Sequence, residues 1–411
     1  MSEQKIPAFD AARLRQDFPA LQRRHLGRPI VYLDNACMTL PPRPVLETMQ
    51  RYYSESPGCH GRSNHLFGRE TTAAFTAARM TLQKFVNAAH PEEIIFTKNA
   101  TEGINLVAHC WPWQEGDVVL CSDLEHNSNL LPWRLLQERK KVSVKVLATA
   151  PDTSFDLERF RAALAGPVKM VALPHVSNIS GVTFPIRDIC ALAHARGARV
   201  LVDGTQAVPH ARVDVRGLDV DFYAFSSHKM LGPTGVGCLY GKGELLAGLP
   251  PFLAGGETVS DVSEGSCEFL GPPERYEAGL QNYAGVLGLA RACEYLGSLD
   301  RKAAEAHISE LNRLASEALA GHERIQLIGP RDPMRRGNIL NFAIRGLDCH
   351  DAARILDSSD NIMLRAGRHC AHSWYHRSGM ADSLRASFYL YNTGQEAELF
   401  AAKVRDLLNY F

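Results

Sequence analysis

The sequence predicts an α/β fold, with a large domain built on a mostly parallel sheet and a smaller α+β domain beside it. Three observations lead there. From Pro91 onward, short apolar runs alternate with stretches of helical periodicity, the repeat of strand and crossover helix. Beyond Gly279 the rhythm changes to long helical segments followed by isolated strand-like runs. A chain of 411 residues is also long enough to bury one large and one small core.

Taken in order, Leu14 and Phe18 lie in a helix-like stretch expected to pack onto the smaller domain. Apolar runs beginning at Ile94, Val118, Val144, Met170 and Val200 read as strands of the large sheet. A helix is expected over 186–196, where Ile186, Ile189, Cys190 and Ala193 fall on one face. Long helices follow over 283–296 and 301–319, then strand-like runs beginning at Ile339 and Leu384. The expected division is 24–297 for the large domain, and 1–23 with 298–411 for the small one. No repeat, low-complexity tract or long linker interrupts the chain.

Charge and composition exclude several function classes. Lysine plus arginine and aspartate plus glutamate number 45 each, so no overall basic field draws the chain to nucleic acid or an anionic membrane. No apolar run reaches the length of a membrane span. The ten cysteines are scattered, with no Cys-x-x-Cys pair and no secretory leader before Pro7. A reducing cytoplasm is expected, with small metabolites and proteins as partners.

The chemistry is concentrated where strands end. Asp203-Gly204-Thr205-Gln206 closes the run Val200-Leu201-Val202, and Ser226-Ser227-His228-Lys229 lies downstream. Together they read as a site for pyridoxal 5'-phosphate (PLP), which needs a lysine amine to hold its aldehyde as a Schiff base and an acid to keep its pyridine nitrogen protonated. Lys229 and Asp203 are the candidates. Either residue alone reads equally as a turn cap or a surface lysine; the pairing is what points to the cofactor.

Thr101, in Thr97-Lys98-Asn99-Ala100-Thr101-Glu102-Gly103, opens a helix whose free backbone donors suit a phosphate, although an ordinary capped helix has the same composition. His126 follows the next strand and is placed either to stack on a cofactor ring and move protons or to cap a helix. Asn178 follows the strand after that, as an oxygen-binding amide or a turn residue. Arg385 lies in a strand-like run, where a guanidinium wants an anion: a substrate carboxylate or a structural partner.

Arg365-Ala366-Gly367-Arg368-His369-Cys370 sets a thiol among cations, surroundings that favour a thiolate, while a buried inert cysteine is the competing reading. His369, Cys370, His372 and His376 also form a local cluster, but one thiolate outside any finger-like scaffold argues against a metal, and none is expected.

As a set, these stretches closely resemble the fold-type I PLP enzymes of the class V aminotransferase superfamily, in particular the group II (SUF-type) cysteine desulfurases and selenocysteine lyases. The resemblance also rests on Tyr32-Leu33-Asp34-Asn35-Ala36, Glu125-His126, His175-Val176-Ser177-Asn178 and Glu277-Ala278-Gly279, and it runs over nearly the whole chain. It implies Lys229 as the Schiff-base lysine, Asp203 on the pyridine nitrogen, Gln206 on the ring oxygen and His126 over the ring. Thr101, Ser226 and His228 would hold the phosphate. Asn178 and Arg385, with help from Arg365, would hold the substrate carboxylate, and Cys370 would accept the sulfur.

The implied reaction converts L-cysteine to L-alanine and leaves a persulfide on Cys370, which a partner protein would carry to iron-sulfur cluster assembly or another thiolation pathway. A selenocysteine lyase would use the same residues; a PLP β-lyase would not need Cys370. A homodimer is implied, yet Leu280-Gln281 stands where many relatives have Thr-Pro, so the resemblance does not carry over that threonine's phosphate contact across the dimer interface. Ala100, Ser227 and Cys37-Met38 are further departures, and an altered phosphate cup is expected.

Overall fold

The computed structural model describes residues 9–410. Its largest element is a sheet of β1 (Ile94–Thr97), β2 (Val118–Ser122), β3 (Ser143–Leu147), β4 (Val168–Pro174), β5 (Arg199–Asp203), β6 (Phe222–Ser226) and β7 (Gly237–Gly241). The spatial order is β1-β7-β6-β5-β4-β2-β3, parallel from β6 to β3, with β7 antiparallel to both β6 and β1.

Alternation explains why these strands read as unbroken apolar runs. Val171, Leu173, Val200, Val202, Tyr223 and Phe225 pack into one core, and their neighbours Met170, Ala172, Leu201, Phe222 and Ala224 into a second. Each face of the sheet is buried, so most positions along its central strands are apolar. β6 and β7 were not anticipated from the sequence. β7 contains no β-branched residue and is bounded by glycines, whereas β6 carries the strand-forming aromatics Phe222, Tyr223 and Phe225.

A second, antiparallel sheet contains β8 (Ile325–Ile328), β9 (Ile339–Ile344), β10 (Arg365–Gly367) and β11 (Ser383–Ser387), in the order β8-β9-β11-β10. The strand expected at Leu384 ends at Ser387, and the Phe388 N–H adds one more bond in the same register, to the Asn338 carbonyl at 3.0 Å. The helix expected over 186–196 occupies Ile186–His194 and is stopped at Gly197, whose φ is +73°.

Two long helices, Tyr283–Gly297 and Arg301–Leu319, follow the large sheet. The amino-terminal stretch packs there and on the last helix, Gly394–Tyr410: the Phe18 ring lies 6.1 Å from Tyr295 and 4.6 Å from Tyr391, and Arg15 pairs with Glu396 at 2.7 Å. Residues 1–8 of that stretch lie outside the described residues. Among the described residues no helix is long and apolar enough to cross a membrane.

Two features of topology position the site. The order of strands reverses between β2 and β4, which opens a crevice outside their carboxyl ends. In addition, Val31–Tyr32 pairs in parallel with Ile362–Met363, so the segment leading to Cys37 runs beside the one leading to Arg365.

Candidate active site

A cavity of about 240 Å³ opens at the carboxyl ends of β2, β4, β5 and β6. Every residue singled out in the sequence lines it: Thr101, His126, Asn178, Asp203, Gln206 and Ser226 from the large sheet's loops, then His228, Lys229, Arg365, Cys370 and Arg385. Asn99, Ser128, Thr205, His369 and Cys37 line it as well. All five fall within or near stretches already singled out, but nothing local distinguishes them from ordinary turn residues.

Asp203 ends β5, its Oδ1 accepting the Thr205 N–H at 3.0 Å. Glycine is required between them, because a Cβ on Gly204 would lie 1.9 Å from the Tyr223 ring. Lys229 ends the tight turn Ser227–Lys229 that follows β6. Burial lowers its amine pKa below the ordinary lysine value, only partly opposed by Asp203. A buried amine that sheds its proton readily can attack an aldehyde.

His126 both caps and lines. Its Nδ1 accepts the Ser128 N–H at 3.1 Å, and burial, with the cations Lys229, Arg385 and Arg365, pushes its pKa down to about 3. The ring is therefore neutral at pH 7. His228 is likewise pushed down to about 4 by burial and Lys229.

At the other end, Asn99 caps the helix Ala100–Cys110 by accepting from the Glu102 N–H at 3.0 Å. Ser226 Oγ accepts the Ala100 N–H at 2.9 Å, and Thr101 and Ser128 share a hydroxyl hydrogen bond of 2.7 Å. Gly237 lets β7 approach this turn, since a Cβ there would lie 2.5 Å from the Asn99 Cα.

The cationic side is built by the second sheet. Arg365 and Arg385 are direct cross-strand partners on β10 and β11. Like charges so placed repel unless anions separate them. Arg385 is 2% exposed; it donates to the Asn178 carbonyl at 3.0 Å, lies 3.5 Å from Asp34 Oδ1, and its Nε has no partner. Arg365 reaches Cys37 Sγ at 2.7 Å and Cys370 Sγ at 4.0 Å.

Cys370 is held in place by its backbone. Its carbonyl accepts the Asn127 N–H at 2.7 Å, and the preceding His369 carbonyl accepts from Asn178 Nδ2 at 2.8 Å. His369 and Cys370 both adopt left-handed φ values, +48° and +56°, uncommon for residues with a Cβ. Asn178 thus supports the cysteine loop as well as lining the cavity, and Gln206 similarly donates one amide hydrogen to the Ala36 carbonyl at 2.7 Å. The neighbouring histidines diverge, His369 to Ser383, His372 to Asn127 and His376 to Arg368. The one group of three metal-compatible side chains among the described residues is elsewhere, at Cys349, His350 and Asp382.

This arrangement matches known proteins over its whole length. The model of the aminotransferase class-V family matches residues 31–400. The chain belongs to the class V aminotransferase family. Within it, the chain is 38% identical to a probable cysteine desulfurase of Vibrio cholerae, over 95% of this chain and 96% of that protein. The cysteine desulfurase CsdA of Escherichia coli superposes with a TM-score of 0.90 at 35% identity, covering 98% of this chain and all of that one. A cysteine desulfurase of Thermococcus onnurineus superposes with a TM-score of 0.93 at 33% identity, covering both chains fully.

The class V cofactor is PLP, and the cavity fits it. It combines an amine of lowered pKa, an aspartate at a strand end, and a helix amino terminus with two hydroxyls. Thr205 Oγ1, Arg385 Nε and His369 Nδ1 are buried there without partners, as expected of a site built around a polar group.

Proposed function

We propose that this class V enzyme is a PLP-dependent cysteine desulfurase of the group II type, converting L-cysteine to L-alanine with a persulfide on Cys370. The observation that carries the reading is the sharing of one cavity by Lys229, Asp203, Arg385 and Cys370. The amine and aspartate alone would serve many PLP reactions; the thiol beside them selects sulfur transfer.

In this reading Lys229 would anchor PLP, with Asp203 for its ring nitrogen, Gln206 for its ring oxygen and His126 for its ring face. Thr101, Ser226 and His228 hold the phosphate. Bound there, PLP supplies a sink for the electrons left at the substrate Cα. Arg385 grips the substrate carboxylate with its free Nε, with Asn178 and Arg365 alongside. The Lys229 amine, its pKa lowered by burial, would take the Cα proton. The Cys370 thiolate attacks the substrate Sγ; a sulfur–sulfur bond forms as the Cβ–Sγ bond breaks, its electron pair and a proton going to the carbon that becomes the alanine methyl.

The same reading divides the chain into 24–297 and 1–23 with 298–411, makes it a cytoplasmic homodimer, and gives it a protein sulfur acceptor serving iron-sulfur assembly or thiolation. The test is alanine and sulfide release from L-cysteine with reductant, by wild type and Cys370→Ala, with the PLP absorbance followed in both. Loss of turnover in the variant with the cofactor spectrum retained is expected. Undiminished sulfide release accompanied by pyruvate instead of alanine would make the enzyme a C–S lyase.

A further inference from the structure

We propose that Cys37 is a second sulfur carrier, taking the sulfane sulfur from the Cys370 persulfide within the same cavity. The proposal rests on Cys370 being the first acceptor. Of the ten cysteines, Cys37 and Cys370 are the two that line this cavity, and both are half-buried. Six of the others are buried, in the cores or, for Cys349, against the second sheet.

One guanidinium joins the pair. Arg365 Nη1 lies 2.7 Å from Cys37 Sγ and Nη2 lies 4.0 Å from Cys370 Sγ. This contact follows from backbone pairing. Val31 and Tyr32 lie opposite Ile362 and Met363, and the Leu33 N–H donates to the Met363 carbonyl at 2.8 Å, which carries Cys37 to the side chain of Arg365. The second arginine, Arg385, adds charge from the facing strand. A thiolate is the nucleophile in sulfur exchange, and the Arg365 guanidinium lies against both sulfurs. Cys370 as a persulfide reaches about 2 Å farther than as a thiol, by the length of one sulfur–sulfur bond.

The step is a simple exchange. The Cys37 thiolate attacks the outer sulfur of the Cys370 persulfide, and a bond forms from that sulfur to Cys37 Sγ. The bond to Cys370 Sγ breaks, its electron pair remaining on Cys370 as a thiolate beside Arg365. Sulfur is transferred with no net oxidation or reduction, so no outside reductant takes part. Cys370 is then free to accept sulfur from a second substrate, and each chain stores two sulfanes.

The experiment is a burst measurement with PLP-loaded enzyme and excess L-cysteine in the absence of any other thiol or acceptor protein. Alanine is counted per chain, and persulfides are alkylated and located by peptide mass spectrometry. Wild type is expected to form two alanines per chain, with persulfide on the peptides of both Cys37 and Cys370; Cys37→Ser is expected to stop at one, on Cys370. A wild-type burst of one, with Cys370 alone modified, would overturn the relay. So would persulfide on Cys37 in Cys370→Ala, because sulfur would then arrive without Cys370. Unchanged alanine from Cys370→Ala with no persulfide on any peptide would overturn both the relay and the desulfurase reading beneath it.

Discussion

Replacing Glu277 by alanine should destabilise the chain by about 3–5 kcal/mol, the range for breaking a buried ion pair and leaving one charge behind. Glu277 meets Arg79 through two parallel contacts, Nη1 to Oε1 at 2.8 Å and Nη2 to Oε2 at 2.7 Å, and both side chains are nearly inaccessible. The pair also closes the open edge of the large sheet. Edge strand β1 points the Ile94 carbonyl and the Phe96 N–H outward; Arg79 binds the first at 2.6 Å and Glu277 the second at 2.7 Å. Without Glu277 the buried Phe96 N–H loses its acceptor, about 1–3 kcal/mol, and the guanidinium between the rings of Phe75 and Phe96 loses its counter-charge.

Urea unfolding of the cofactor-free chain measures the loss. Arg79→Met combined with Glu277→Leu should recover the part due to the unpaired charge but not the part due to the Ile94 carbonyl and the Phe96 N–H, which lose their partners in the double variant. A loss below about 1 kcal/mol for Glu277→Ala, or a double variant as stable as the wild type, would refute the edge-closing role. The same edge leads into the turn at Asn99 and Thr101, so weaker PLP binding should accompany the loss.

Two further outcomes follow from the site. Arg385→Lys should lower kcat/KM for L-cysteine by roughly 30-fold or more, equivalent to about 2 kcal/mol or more, because an ammonium cannot reproduce the fork that binds Asn178, Asp34 and a carboxylate together; a rate within threefold of wild type would remove Arg385 from substrate binding. Stability should fall as pH drops below about 6.5. Burial pushes His126 and His210 down to about 3 and His369 to about 2, so between those values and the unfolded histidine pKa the unfolded chain binds more protons, and each contributes about 1.4 kcal/mol per pH unit. Glu125, raised to about 8 by burial, has the opposite sign from pH 4.5 upward and offsets one histidine. Urea midpoints at pH 7 and pH 5 that coincide would contradict neutral burial of these rings.

The sequence by itself determined the large sheet's first five strands, the chemistry at their ends, and the set of side chains meeting in one cavity. Those features are local: apolar runs mark strands buried on both faces, and ligand groups follow at strand ends, within a few residues of the pattern that reveals them. It also located Cys370 among cations, because Arg365 and Arg368 are close in the chain. Strand β7, without β-branched residues and bounded by glycines, was hidden by composition, whereas the aromatics of β6 were a signal that went unread.

What tertiary structure alone decided is which distant groups touch. Arg365 and Arg385 face each other only through the β10–β11 register, and Cys37 meets Arg365 only because Val31–Tyr32 pairs with Ile362–Met363. Asn178 turns out to brace the loop at His369, and Glu277 to seal an edge strand through Arg79. The physical reason is that a periodicity states which face of an element is apolar. The partner of a buried polar group is selected only when packing brings segments hundreds of residues apart within hydrogen-bonding distance and leaves each donor and acceptor to be satisfied.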